Sequence, residues 1–152
     1  MDRKEFNKIL DFAVEREEEA IRFYRDLQGM VQFSEKLDLL KEFEAIERSH
    51  IKVLENIRSK TAVELNSAPV EIENLAISDY LVEVAPTPEM SFQDILITAM
   101  KREEKATKLY TDLAEGATDE GIQTLFSKLA TEESKHKLYF EKLYDEFILT
   151  EN

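Results

Sequence analysis

The chain has 152 residues, 43% of them hydrophobic and 35% charged, with a formal net charge of −13 and no cysteine. Length and apolar content suit a single globular domain, and the lack of cysteine excludes disulfides, thiolate-ligated zinc, iron–sulfur clusters and thiol catalysis. An acidic surface repels nucleic-acid phosphates and anionic membranes, no apolar run reaches the length of a membrane span, and Met1-Asp2-Arg3-Lys4-Glu5 leads into no signal core, so a soluble cytoplasmic protein is expected.

Only three glycines and three prolines occur, which favours long helices. The first helix is expected to start at Asp2, which can form a capping box with Glu5. Its inward seam reads Phe6, Leu10, Ala13, Glu17, Ala20, Tyr24 and Leu27, at alternating steps of four and three, the period of a helix packed in a bundle. Gly29 marks its end. A second helix is expected from near Ser34, with the seam Leu40, Phe43, Glu47, His50, Leu54 and Ile57. Residues 61–90 lose the period and hold Pro69, Pro86 and Pro88. Too long for a tight turn, this stretch reads as a crossover connection, and Val70–Val84 is compatible with a short helix of its own.

The third helix is expected to open at Ser91, with Asp94 completing a weaker capping box. Its seam is Phe92, Leu96, Ala99, Glu103, Ala106, Tyr110 and Leu113, and Gly116 ends it. The fourth is expected from near Thr118, with the seam Ile122, Phe126, Leu129, Glu133, His136, Phe140, Leu143 and Phe147. The two hairpins, residues 2–60 and 91–149, repeat each other at a constant offset of 86 without a gap. Glu17-Glu18-Glu19-Ala20 aligns with Glu103-Glu104-Lys105-Ala106, Tyr24 with Tyr110, and Glu47-x-x-His50 with Glu133-x-x-His136. Duplication of a helical hairpin is the simplest account.

Glutamate and histidine do not belong on the inner seam of a bundle, because an unpaired buried carboxylate costs on the order of several kcal/mol. Yet every seam is interrupted, by Glu17, by Glu47 and His50, by Glu103, and by Glu133 and His136. Each of the four glutamates lies 15 residues from its hairpin tip, roughly 22 Å along a helix, so all four can share one layer. Residues three apart lie on one helical face, which lets each Glu-x-x-His pair aim both side chains at one point. One glutamate from each of two helices plus Glu-x-x-His from the other two is the ligand set of a carboxylate-bridged dimetal centre. Two divalent cations would balance four carboxylates that could not all ionise alone. Oxygen-rich ligation with two nitrogens suits iron or manganese, with zinc able to occupy the site in vitro.

Glu132 aligns with Ile46 and leaves the seam; Glu18, Glu104 and Glu44 also leave it or fail the repeat, so all four read as solvated or as standing behind the ligands. Tyr24 and Tyr110 stand seven residues after Glu17 and Glu103 and lean back toward the carboxylate layer, where each reads either as a core tyrosine or as a hydrogen-bond partner of a ligand. Phe23, Phe43, Phe126 and Phe140 read as packing.

With Glu-x-x-Ala-x-x-x-Tyr present at both Glu17–Tyr24 and Glu103–Tyr110, and Glu-x-x-His at both Glu47–His50 and Glu133–His136, the sequence resembles the ferritin-like superfamily and, within it, the rubrerythrin-like di-iron proteins. The resemblance implies an all-α, antiparallel four-helix bundle of two hairpins with a long crossover. It implies bridging roles for Glu47 and Glu133, terminal roles for Glu17, Glu103, His50 and His136, two bound iron ions, and a homodimer. Two departures stand out. The chain lacks the cysteine-rich rubredoxin domain of full-length rubrerythrin, so a separate protein would have to deliver electrons. Ala106 stands where rubrerythrin carries an extra glutamate one turn after its third-helix ligand, so the redox-linked metal movement tied to that glutamate is not implied. Four functions are open on these grounds: an oxidoreductase that reduces hydrogen peroxide or dioxygen, a protein that oxidises ferrous iron for storage or delivery, a substrate hydroxylase, which would need an apolar substrate pocket, and a metal-binding bundle without catalysis.

Overall fold

A computed structural model describes residues 2–64, 70–71, 75–82 and 89–151. Four helices dominate it: α1 (Arg3–Gln28), α2 (Leu37–Glu64), α3 (Phe92–Gly116) and α4 (Glu120–Glu151). Asp2 and Ser91 cap α1 and α3 as expected, Asp2 with the full box and Ser91 with its side chain alone. The Asp2 carboxylate accepts from the Glu5 N–H while the Glu5 side chain accepts from the Asp2 N–H, a full capping box. Ser91 Oγ accepts from the Asp94 N–H at the head of α3. Gly29 closes α1, its N–H donating to the Asp26 carbonyl while the Met30 N–H donates to that of Leu27.

Two boundaries differ from the sequence reading. The segment Val31–Lys36 winds first as a 3-10 helix that buries Phe33, and α2 proper begins at Leu37 rather than near Ser34. At the other tip α4 begins at Glu120, because the Asp119 carboxylate accepts from the Ile122 N–H and acts as the cap. In the crossover, Ile77–Tyr80 forms one 3-10 turn and Val70 bridges Ala117. Pro69, Pro86 and Pro88 lie outside the described residues, as do residues 72–74 and 83–84 of the stretch compatible with a helix; of the rest only Ile77–Tyr80 is helical.

The molecule is an all-α four-helix bundle. Helix α1 packs along α2 and α3 along α4, and α2 meets α4 between the hairpins. The seam residues separate into two apolar blocks. One gathers Phe6, Leu10, Leu54, Ile57, Leu113 and Phe126, from the start of α1 and α4 and the end of α2 and α3. The other gathers Leu27, Leu40, Leu96, Phe140, Tyr24 and Phe43, from the opposite ends of the same helices. Helices α2 and α3 are therefore parallel, and the crossover must climb the length of the bundle to join them. Between the blocks lies a layer that belongs to neither, made of the four seam glutamates and the two histidines.

Candidate metal centre

The structure brings the six seam-breaking residues together. Glu17, Glu47, His50, Glu103, Glu133 and His136 are each 4% exposed or less. They form two groups, Glu17–Glu47–His50–Glu133 and Glu47–Glu103–Glu133–His136, and within each group one donor atom per residue lies within 4.8 Å of the others. Glu47 and Glu133 belong to both groups; Glu17 with His50, and Glu103 with His136, belong to one each.

Helical geometry explains the arrangement. In each Glu-x-x-His pair the two side chains rise from one face a turn apart, and both imidazoles turn Nδ1 inward. His50 Nδ1 lies 2.8 Å from Glu133 and 3.3 Å from Glu17, while His136 Nδ1 lies 3.0 Å from Glu47 and 3.8 Å from Glu103. The contacts from His50 to Glu133 and from His136 to Glu47 join α2 to α4, so the two hairpins complete one another. Glu17 Oε2, Glu47 Oε1, Glu103 Oε2 and Glu133 Oε1 are buried with no hydrogen-bond partner among the described residues. For Glu47 and Glu133 a histidine nitrogen is near but misaligned for a hydrogen bond. Buried oxygens crowded together and left unpaired are what a cation would draw in as ligands, and in its absence they cost about 1–3 kcal/mol each or more.

The electrostatics agree. Burial, and after it the charge of Glu17, pushes the Glu47 carboxyl well above the ordinary range. Burial, and after it the charge of Glu103, does the same to Glu133. Glu103 is lowered: burial alone would raise it, but hydrogen bonds from Glu133, His136 and Tyr24 outweigh that. Burial alone would lower His50, yet the carboxylates of Glu17 and Glu132 hold it above its ordinary value. Without a cation, Glu47 and Glu133, the two residues shared by both groups, hold a proton more tightly than an ordinary glutamate.

Both tyrosines turn out to be partners of the carboxylates, each across the interface between hairpins. Tyr110 Oη donates to Glu17 Oε1 at 2.6 Å, and Tyr24 Oη donates to Glu103. Burial and the neighbouring carboxylates push both phenols well above their usual range, so both remain donors. Glu18 and Glu104 are exposed, and Glu44 is engaged at the surface by Arg48, Arg25 and Gln28.

Of the two places the sequence leaves open for Glu132, the structure shows the one behind a ligand: its Oε2 lies 3.0 Å from His50 Nε2, behind the imidazole. Phe43, read as packing, is stacked on the His136 ring at 4.0 Å between centroids and 26° between planes. Sequence reasoning also passed over Arg16 and Arg102, which the repeat does pair. They border a narrow cleft that runs past Ala20 and Ala106 to Glu47 and Glu133. Glu19 links the two guanidinium groups, at 3.0 Å from Arg16 and 3.6 Å from Arg102.

Residues 94–152 match the rubrerythrin family. The matched stretch is the second hairpin, α3 and α4, and it carries Glu103, Glu133 and His136. The first hairpin is tied to this rubrerythrin-like hairpin by the 86-residue repeat and by the shared layer of side chains. No curated protein matches the chain. A solved structure, a hypothetical protein from Pyrococcus furiosus, has a TM-score of 0.69 at 24% identity, over 90% of this chain and 86% of that one. That likeness is one of fold, and it spans both hairpins. No helix among the described residues is long and apolar enough to cross a membrane.

Proposed function

We propose that this bundle is a di-iron carboxylate protein that reduces hydrogen peroxide or dioxygen with electrons from a separate donor protein. The observation that carries the reading is the pair of buried four-residue groups sharing Glu47 and Glu133. Each group supplies three carboxylates and one imidazole, a donor set suited to iron or manganese, and the orphaned oxygens are what such ions would satisfy. Bound there, a metal pair would supply Lewis acidity and redox equivalents.

The chain's own residues would do the rest. Glu47 and Glu133 would hold both ions, while Glu17 with His50 and Glu103 with His136 would each complete one. Tyr110 and Tyr24 steer the Glu17 and Glu103 carboxylates by hydrogen bonds. The cleft beside Ala20 and Ala106 admits a molecule the size of peroxide or dioxygen to the layer, and the apolar blocks on either side exclude bulk water. For peroxide the balance is two electrons and two protons per molecule, with the O–O bond broken and two waters released. With no cysteine in the chain, the electrons come from outside it.

The access cleft favours the oxidant-reducing reading over a purely structural metal site. The test is stopped-flow reoxidation of anaerobically reduced, iron-loaded protein. Peroxide is expected to reoxidise the bound iron faster than it oxidises free ferrous ion under the same conditions. Equal rates would overturn the oxidoreductase reading. Formation of a very large, iron-filled assembly on size exclusion would favour storage instead.

A further inference from the structure

The repeat that pairs the two hairpins breaks at the residue before each Glu-x-x-His. Ile46 precedes Glu47, and Glu132 precedes Glu133. Helices α2 and α4 run antiparallel, and the register that sets Glu132 behind His50 sets Ile46 opposite His136 by the same spacing. The consequence shows in the ring nitrogens that face away from the centre. His50 Nε2 has the Glu132 carboxylate 3.0 Å away. His136 Nε2 is buried with no partner among the described residues.

An imidazole that binds a cation through Nδ1 must carry its proton on Nε2. For His50 that N–H is accepted by Glu132, which fixes the ring's orientation and makes Nδ1 a better donor. For His136 the same N–H would be buried unpaired. The ring is held by other means, stacked on Phe43 and edge-on to Tyr24. Stacking fixes a plane but accepts no proton. Leu129 replaces Phe43 at the repeat-related position beside His50, so the two imidazoles are seated by different chemistry, one by a hydrogen bond and one by an aromatic face.

We infer that the two cation positions are inequivalent, the one completed by Glu17 and His50 filling first because Glu132 orients His50, and the one completed by Glu103 and His136 filling second. The inference rests on the dimetal reading above. Glu132 is a positioning residue: it acts through His50, is partly exposed at 22%, and belongs to neither ligand group.

The test is an equilibrium titration of the metal-free full chain with Co2+ alone, followed by calorimetry and by the visible spectrum of the bound ion. The parent protein is expected to bind two ions in two steps separated by about 10–100-fold, the range associated with loss of such a partner. Glu132→Ala should weaken the first step by that factor, so that the two steps converge, while the second step stays where it was. Glu132→Gln, which keeps an acceptor oxygen, should restore most of the separation. Ile46→Glu should tighten the second step; should that variant not fold, the Glu132 pair decides the matter. Two equal steps in the parent, or a Glu132→Ala protein with both steps unchanged or both weakened alike, would overturn the inference. Failure of the dimetal reading looks different: Glu47→Ala would then bind Co2+ as the parent does.

Discussion

The sharing of Glu47 and Glu133 between the two groups makes a prediction in whole numbers. A glutamine at any of the four carboxylate positions keeps the side-chain shape and some hydrogen bonding but removes an anionic ligand. At Glu47 or Glu133 the loss falls on both groups; at Glu17 or Glu103 it falls on one. Metal analysis should therefore find two ions in the parent, one in Glu17→Gln or Glu103→Gln, and none in Glu47→Gln or Glu133→Gln. The same ordering should appear in stability. A ligand at 100 times its dissociation constant stabilises the folded state by about 2.7 kcal/mol, so two such ions contribute about 5.4 kcal/mol. For a domain of this length each kcal/mol moves Tm by about 2–4 °C. Saturating the parent should then raise Tm by roughly 11–22 °C, the Glu17→Gln protein by about half of that, and the Glu47→Gln protein by close to nothing. Paired thermal melts with and without ferrous or manganous ion, alongside metal analysis, read both quantities. A Glu47→Gln protein that keeps one ion and half the thermal shift, or a Glu17→Gln protein that keeps two, would refute the shared-carboxylate geometry.

Other consequences can be checked on the same material. In the metal-free protein Glu47, Glu133 and His50 all hold protons more tightly folded than unfolded. Stability should therefore fall as pH rises from about 4.3, the ordinary glutamate value, through neutrality. Glu103 acts in the opposite sense, but only below that value. Thermal melts of metal-free protein between pH 5 and 8 should show the decline, and a rising trend would contradict it. Tyr110→Phe keeps the stacking on Phe126 but removes the donor to Glu17, and should lower stability by about 1.5–3 kcal/mol in urea titration. A change below about 0.5 kcal/mol, within the usual range for surface substitutions, would mean that the bond contributes nothing. Ala106→Leu fills the cleft from a position outside both ligand groups, so reoxidation by peroxide should slow while metal content stays at the parent value. Unchanged kinetics would place the entry route elsewhere.

The layer of six was legible because the bundle period is strict. At steps of three and four, Glu17, Glu47, His50, Glu103, Glu133 and His136 fall where leucines and phenylalanines should be, and polar groups in a buried stripe require partners. Equal distances from the two tips then place them at one height. The same argument fails wherever the outcome depends on how one hairpin meets the other. Tyr24 and Tyr110 could be seen to lean toward the layer, but reaching Glu103 and Glu17 across the α1–α3 interface is a matter of interhelical register. The start of α2 was misplaced for a more local reason: Phe33 is buried by a 3-10 turn that carries no side-chain cap to announce it. The crossover has neither period nor regular capping, so nothing in its sequence constrained it beyond its length.

Duplication makes the departures from the repeat as informative as the repeat itself. Where both halves keep a residue type, as at Glu17 and Glu103 or Tyr24 and Tyr110, each copy meets the same demand from the centre. Where they differ, symmetry alone cannot say whether the difference matters. Glu19 aligns with Lys105, and Lys105 donates to the Asp79 carbonyl at the crossover. Glu132 aligns with Ile46, and the seam argument reads it as either solvated or standing behind the ligands, since it leaves the stripe. Its importance depends on α4 approaching α2 closely enough for that outward carboxylate to meet the back of His50, and 3.0 Å settles that it does. A pattern read along one helix identifies what faces the centre; the residues that hold those ligands in place come from the neighbouring helix, out of phase with its own seam. A search for such residues in duplicated bundles should begin one position before each Glu-x-x-His, where an acid in one half and an aliphatic residue in the other mark two histidines that are no longer equivalent.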